Sequence, residues 1–315
     1  MNKQLWIIIC CITLTLGNMS AKTFLVFGGK TGWIGKKIVH ILQNKGHEAV
    51  CAKSRLQNRA DLEKKITQVK PDHIINAAGV TGRPNVDWCE SNKQHVIRAN
   101  LVGALTLFDV AYVHNIHVIN FGTGCIYEYD AKHSMHSGIG FTENEEPNFQ
   151  GSFYSFTKTM LDKLVTCYPN VLNLRLRMPI SDDLHHRNFI TKITKYARVV
   201  NIPNSMSVLH DLLPLVPIMA ERQLTGNYNF VNPGVISHNQ ILDLYTQYID
   251  PNFTYKNFTL EEQDKILKAG RSNNELDVNK LLSEFPQITH IQKSIIGVFK
   301  RMQKNFKIKI NIAKR

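Results

Sequence analysis

Among its six cysteines the sequence has no CxxC pair and no metal-ligand spacing, and nowhere does it hold an uninterrupted apolar run long enough to cross a bilayer. It also lacks internal repeats and low-complexity tracts. These absences exclude zinc ribbons, thioredoxin-like redox sites, solenoids and multi-span membrane proteins, and they point to reduced thiols in a reducing compartment. Acidic residues are scarce, 25 against 38 lysines and arginines, for a formal net charge of +13. Such a surplus suits an anionic ligand, a nucleic acid or an acidic membrane surface. The basic residues are scattered, however, and only Lys300 to Arg315 is visibly enriched. A solvated surface with a basic tail is therefore expected, with no nucleic-acid site. The remaining composition, 43% hydrophobic and 20% charged over 315 residues, is that of a globular chain able to bury one large core or a core with a smaller lobe.

Residues 1–18 stand apart. Lys3 precedes an apolar run from Leu5 to Leu16, which has the length of a signal-peptide core. Met19 opens Met-Ser-Ala-Lys-Thr directly before the first predicted strand. Either Met19 is the working start or the leader is an accessory anchor; a cytoplasmic protein without stable membrane insertion is expected.

From Lys22 the chain alternates apolar strands with amphipathic helices, which predicts an α/β fold with a doubly wound parallel sheet. Strands are expected at Thr23–Phe27, Glu48–Ala52, His73–Asn76, His117–Phe121, Val171–Leu176 and Tyr228–Val231. Helices are expected over Ile34–Asn44, from an Asn58 cap with Asp61 in a capping-box position to Val69, over Lys93–His114, and from Phe153. The expected organisation is a dinucleotide-binding domain over 22–177, a mainly substrate-binding lobe with returning strands over 178–299, and a loose basic tail over 300–315.

The first strand runs into Gly28-Gly29-Lys30-Thr31-Gly32-Trp33-Ile34-Gly35 and then a helix. Gly29, Gly32 and Gly35 give a GxxGxxG spacing, with Thr31, Trp33 and Ile34 in the same cofactor-binding turn. Glycine is needed there for a tight turn and for close approach of a diphosphate to the helix N-terminus. The ring of Trp33, like that of Trp88, is expected to pack rather than to stack on a ligand. An acid that would bind ribose hydroxyls is missing at the end of the second strand, which reads Cys51-Ala-Lys53-Ser54-Arg55. Lys53, Ser54 and Arg55 suit a 2′-phosphate, hence NADPH, or else form an ordinary basic loop. Asn76, Ala77 and Ala78 close the third strand with small residues beside the cofactor.

Tyr154 and Lys158 stand four apart on one helix face, so a lysine ammonium is expected to lower the phenol pKa while the phenol serves as proton donor. Thr123, after the His117–Phe121 strand, is placed to hydrogen-bond a substrate carbonyl.

In this order the motifs resemble those of extended short-chain dehydrogenases/reductases, especially the dTDP-4-dehydrorhamnose reductase branch and the bifunctional 3,5-epimerase/4-reductases that make UDP-L-rhamnose. The resemblance runs from about Thr23 to Val298. It rests on Gly32-Trp-Ile-Gly35, the block from Asn76 to Glu90, Thr123-Gly-Cys125, Gly151-Ser-Phe-Tyr-Ser155, Arg177-Met-Pro-Ile-Ser181, Arg187 to Ile193, and Arg271 to Asp277. It implies a Rossmann sheet and a nucleoside diphosphate 4-keto-6-deoxyhexose as substrate, whose C3 and C5 protons are acidified by the C4 ketone. It places Cys125 at the position of the epimerase cysteine in related enzymes, although a small buried thiol is the other reading of that residue. The opposing acid is expected in Arg187–Ile193, with Lys192 first and His186 second, and Asn188 is assigned to the substrate in the same segment. Arg83 and Asn85 are expected at the sugar or nicotinamide and Arg271 at the diphosphate, unless the arginines make structural ion pairs. No metal is expected, and a homodimer is allowed. Two other readings remain: a 4-reductase without epimerase activity, and a non-catalytic NADP-binding regulatory subunit such as the β-subunit of methionine adenosyltransferase.

Overall fold

The computed structural model describes residues 20–313, with side chains described through 305. The apolar leader and Met19 lie outside the described residues. Among the described residues eight strands are formed: β1 Thr23–Phe27, β2 Glu48–Ala52, β3 His73–Asn76, β4 His117–Thr123, β5 Val171–Leu176, β6 Pro203–Asn204, β7 Gly226–Asn229 and β8 Ile236–Ser237. Six of them make one parallel sheet in the order β2-β1-β3-β4-β5-β7, while β6 and β8 form a short antiparallel pair. Alternation along β1 shows why both faces are covered. Phe24 and Val26 enter one core with Ile38, Leu42, Leu212 and Met219, and Leu25 and Phe27 enter the other with Leu62, Leu107, Phe108 and Leu161.

The segments following β5 divide between two bodies. Leu209–Leu212, Val216–Glu221, β7 and Asn279–Glu284 return to the sheet and supply Leu209, Leu212, Met219, Tyr228 and Leu281 to its core. A separate cluster, which includes Ile180, Ile190, Val208, Ile241, Ile295 and Phe299, forms the smaller lobe. The returning strand is Gly226–Asn229 rather than Tyr228–Val231, because Gly226 pairs with Leu172 and Asn229 with Arg175. The basic tail is not a loose extension. Helix Ile291–Ala313 continues through it, because Ile295, Val298, Phe299 and Met302 carry one apolar stripe past Lys300 into the lobe core.

Helix Lys93–Val113 is, among the described residues, the one element long and apolar enough to cross a membrane by length and composition. Its Val96, Leu107, Phe108, Val110 and Ala111 are buried in the cores. One wide turn at Arg98–Val102 interrupts it and carries Asn100. The Asn100 amide accepts from Val80 N at 2.8 Å and donates to Val80 O at 2.7 Å, so it pins the loop that leaves β3.

One row of the sheet is polar where a parallel sheet is normally apolar. Asn76, Asn120, Asn173 and Asn227 stand in register on β3, β4, β5 and β7. Their side-chain amides donate in sequence at 2.9, 2.7 and 2.8 Å. Asn173 also donates to Asp162 at 2.9 Å, and Arg175 closes a buried ion pair on that carboxylate. Each amide is satisfied by its neighbour, which offsets the cost of burying the row.

Two buried histidines make stability depend on pH. His73 lies against Phe24 and His117, and burial, followed by the neighbouring His117, lowers its pKa to about 4; burial alone lowers His238 to about 4. Below an unfolded value of about 6.5 the unfolded chain takes up protons that the folded chain refuses, so stability falls as pH drops from 6.5 towards 4, by about 3 kcal/mol for each histidine. Asp182 and Glu145, held at about 2, add their loss only at lower pH. Denaturant unfolding between pH 7 and 4.5 is expected to show this decline; a flat profile over that range contradicts it.

Candidate active site

Directly after β1 the chain turns at Gly28, whose φ of 79° belongs to the left-handed region; a Cβ there would lie 2.6 Å from the Ala77 carbonyl oxygen. The carbonyl of Gly28 accepts from Gly32 N at 2.9 Å, and a Cβ on Gly32 or Gly35 would come within 2.6 or 2.3 Å of the same oxygen. The turn therefore depends on Gly28, Gly32 and Gly35. Gly29 is tight as well, since a Cβ there would meet the Cys51 and Val39 side chains at 3.0 Å, so Gly28 joins the expected trio. A doublet of glycines at the strand end was visible in the sequence, but the spacing rule alone did not say which of the two carries the strained φ. Helix Trp33–Asn44 then begins with Gly32 as a cap that offers no side chain, which leaves its first N–H groups free for an anion.

A cleft of about 480 Å³ lies over this helix start. Thr31, Gly32, Lys53, Ser54, Arg55 and Ala78 line it, together with Arg83 and Arg187, and Lys30 adds another cation; the lining holds no carboxylate. Bare glycine backbone, an open helix N-terminus and a cationic wall fit the pyrophosphate and phosphate groups of a nicotinamide dinucleotide. Asn76 acts behind the wall: it accepts from Ala78 N at 3.1 Å and donates into the asparagine row. Ala77 supplies the carbonyl that packs on Gly28. Ile34 packs on the sheet core, so it and Trp33 shape the turn through their backbone only. Trp33 points its side chain away from the cleft, donating to Asp183 at 3.0 Å and lying parallel to His185 at 5.1 Å.

The catalytic side is built by β4 and the helix Phe153–Val165. Thr123 is the last residue of β4, two residues beyond the expected end of that strand, and its hydroxyl accepts from Cys125 N at 3.1 Å. Ser152 caps the helix by accepting from Ser155 N, and Glu90 accepts from Phe153 N at 2.7 Å. These bonds fix the turn that carries Tyr154 and Lys158, both of which are buried. The Tyr154 phenol feels Thr123, Cys125, Cys89 and Arg187. The expectation that Lys158 lowers the phenol pKa needs correction. Burial is the largest influence on Tyr154 and pushes it well above its ordinary value, with Cys125 adding to the rise and Thr123 and Arg187 opposing it. The phenol is thus held protonated. Lys158 is itself lowered to about 8 by burial, with Asp162 one helical turn away pulling it back up.

Cys125 packs against the buried cluster of Cys89, Val96 and Tyr154. Lys192, in the short helix Phe189–Ile193, is lowered by burial and then by Arg187, and a negative charge on Cys125 raises it. Thr123, Cys125, Tyr154, Arg187 and Lys192 thus form one electrostatic neighbourhood, and Arg187 joins it to the cleft that it also lines. Arg187 lies in the expected segment, but an arginine between His186 and Asn188 carries no local pattern that distinguishes it from Lys192. His186 is exposed beside Arg83, Arg187 and Lys192, and these cations, after burial, lower its pKa.

Three assigned substrate contacts take other roles. Asn188 is fully buried and spends its amide on Ser181 O at 2.7 Å, Asp183 O at 2.6 Å and the amides of Ser181 and Ile190, so it caps and folds its loop rather than binding a ligand. Asn85 accepts from Asp87 N at 2.8 Å and makes the turn after Arg83. Arg271 pairs with Asp87 at 2.9 Å, an ion pair whose N–H is not aimed at the oxygen, and its other nitrogen donates to Ala269 O. It ties the loop after β3 to the C-terminal segment. Arg83 alone of the four lines the cleft.

The model of the NAD dependent epimerase/dehydratase family matches residues 25–213, which contain the glycine turn, Thr123, Tyr154 and Lys158. The chain belongs to this family. Among relatives in it, the bifunctional dTDP-4-dehydrorhamnose 3,5-epimerase/dTDP-4-dehydrorhamnose reductase of Arabidopsis thaliana is 55% identical over 278 residues, 88% of this chain and 92% of that protein. A trifunctional UDP-glucose 4,6-dehydratase/UDP-4-keto-6-deoxy-D-glucose 3,5-epimerase/UDP-4-keto-L-rhamnose-reductase of the same plant is 56% identical over 87% of this chain, and the chain spans only 41% of its length. The crystal structure of the L780 UDP-rhamnose synthase of Acanthamoeba polyphaga mimivirus superposes with a TM-score of 0.85 at 41% identity, covering 90% of this chain and all of that one.

Proposed function

We propose that this epimerase/dehydratase-family chain converts UDP-4-keto-6-deoxy-D-glucose to UDP-L-rhamnose by 3,5-epimerisation and 4-keto reduction with NADPH. The observation that carries this reading is that Cys125 and Lys192 feel one another's charge in the neighbourhood of Tyr154 and of Arg187, and Arg187 also lines the carboxylate-free cleft. Relatives named for both activities support it, as does the likeness to a UDP-rhamnose synthase. The nicotinamide supplies a hydride to C4 when bound. Tyr154 gives its proton to the C4 oxygen, and Thr123 holds that oxygen by a hydrogen bond. The same two groups stabilise the enediolate oxygen when a proton leaves C3 or C5. Cys125 takes that proton from one face and Lys192 returns one from the other, which inverts the carbon. Lys158 supports the nicotinamide ribose, Arg83 and Arg187 hold the sugar nucleotide, and Lys53, Ser54 and Arg55 hold the 2′-phosphate.

In domain terms, residues 22–177 bind the dinucleotide and the lobe built from 178–299 closes over the sugar nucleotide. The chain works in the cytoplasm. A homodimer is part of the proposal. Helix Lys93–Val113 exposes Val102, Tyr112 and Val113, and its neighbour Phe153–Val165 exposes Met160 and Leu164, so two adjacent helices leave an apolar face uncovered.

The cofactor choice is tested at the basic loop. Lys53→Ala and Arg55→Ala are each expected to weaken NADPH binding by about tenfold, the worth of one charge-assisted hydrogen bond, while NADH binding changes little. Equal weakening of both dinucleotides, measured by titration, contradicts the assignment.

A further inference from the structure

We infer that Trp33 is a positioning residue: its indole fixes the segment that carries Arg187 into the cleft, and so couples the phosphate-binding turn to the substrate side. Trp33 is the first residue of helix Trp33–Asn44, immediately after the capping Gly32, and its side chain is buried. The indole N–H donates to the Asp183 carboxylate at 3.0 Å, and Lys37, one turn further along the same helix, reaches that carboxylate at 2.6 Å. Against the indole face lies the imidazole of His185, at 5.1 Å between centroids and 3° between planes. His185 then takes the next step towards the cleft, since its Nδ1 accepts the amide N–H of Arg187 at 3.1 Å. The contact chain therefore runs from the turn that receives the diphosphate, through one indole and one imidazole, to the backbone of Arg187.

The chemistry of each contact is directional. An indole has a single N–H, and Asp183 takes it while also accepting from His185 N at 3.0 Å, so the loop has one docking orientation on the helix. To accept from Arg187, His185 must be unprotonated at Nδ1. The groups facing it are Trp33, Asp183, Lys37, His186 and Arg187; burial, then the cations and His186, keep its pKa below the usual value against the opposing pull of Asp183. A shift of the Arg187 guanidinium by even an ångström is enough to weaken its hold on a charged sugar nucleotide.

The inference rests on Arg187 contacting the substrate, as proposed above, and two measurements separate the two ideas. Hydrogen exchange on the full chain needs no substrate. Trp33→Leu is expected to speed exchange of the Arg187 amide and its neighbours in 182–188 while β1 and β3 stay protected, and Trp33→Phe, which keeps a ring but loses the N–H donor, is expected to fall between. Unchanged exchange in 182–188 overturns the inference even if the enzyme proves active. The second measurement is a double-mutant cycle on the KM for UDP-4-keto-6-deoxyglucose at saturating NADPH. Trp33→Phe is expected to raise KM by about tenfold with Arg187 present and to add little in an Arg187→Ala background. Additive effects, or a rise in the NADPH Kd as large as the rise in KM, overturn it. A wild-type chain that binds NADPH without turnover defeats the functional reading and leaves the exchange result to decide this one.

Discussion

Tyr154→Phe is expected to lower the rate of 4-ketone reduction by about 10²- to 10⁴-fold, the usual worth of a positioned proton donor, with NADPH affinity unchanged. The phenol is buried, lies in the electrostatic reach of Thr123 and is held protonated well past neutral pH, so it is the group able to deliver a proton to the C4 oxygen as that oxygen gains charge. The ring contributes to packing with Cys89 and Val96, which phenylalanine preserves. The loss should therefore be one of turnover with the thermal midpoint retained. Lys158 adds a pH dependence: with its pKa lowered to about 8, the ammonium and the rate are expected to decline together above that pH. Single-turnover rates from pH 6 to 9.5 check both statements. A Tyr154→Phe chain as fast as wild type contradicts the assignment.

Cys125→Ala is expected to reduce exchange of the C3 and C5 protons by about 10²- to 10⁴-fold, because the proposed base is removed while the oxyanion donors Thr123 and Tyr154 remain. Reduction of a sugar nucleotide that has already been epimerised should persist, since no step of hydride acceptance or phenol donation involves the thiol. Deuterium incorporation from heavy water, followed at C3 and C5, separates the two activities. Full incorporation with the alanine variant makes Cys125 a packing residue and moves the base to another group, whereas no incorporation with the wild-type chain leaves it a reductase alone. Cys89 provides the internal comparison: it lies in the same cluster, yet burial pushes its thiol up to about 11, which makes it a poor base at neutral pH.

The sheet was legible because its strands are short apolar runs separated by helical periods, a pattern that local residues carry by themselves. Thr23–Phe27, Glu48–Ala52, His73–Asn76 and Val171–Leu176 fall where the sequence places them. The misplacements have physical causes. The returning strand Gly226–Asn229 is defined by its register against Leu172–Arg175, a long-range pairing that no local window contains. The tail from Lys300 reads as basic and loose until the i, i+3, i+4, i+7 stripe of Ile295, Val298, Phe299 and Met302 is seen to have a lobe to pack against. At the site, local spacing fixes where Thr123, Tyr154 and Lys158 stand, at the end of β4 and in the first turns of helix Phe153–Val165. Spacing says less where a polar side chain has backbone partners within its own loop. Asn188 is consumed by such local bonds, and Asn85 spends its amide oxygen on one, which neither residue type nor position reveals. Asn100 was missed for the opposite reason, because its partner Val80 is 20 residues away and only the wide turn in its helix brings the two together.

The most direct test is to incubate the purified chain with NADPH and UDP-4-keto-6-deoxyglucose while following NADPH absorbance and identifying the sugar formed. The proposed function predicts NADPH oxidation with UDP-L-rhamnose as the product, both activities arising from one polypeptide. NADPH binding without oxidation, or oxidation that yields a reduced sugar with C3 and C5 uninverted, contradicts it.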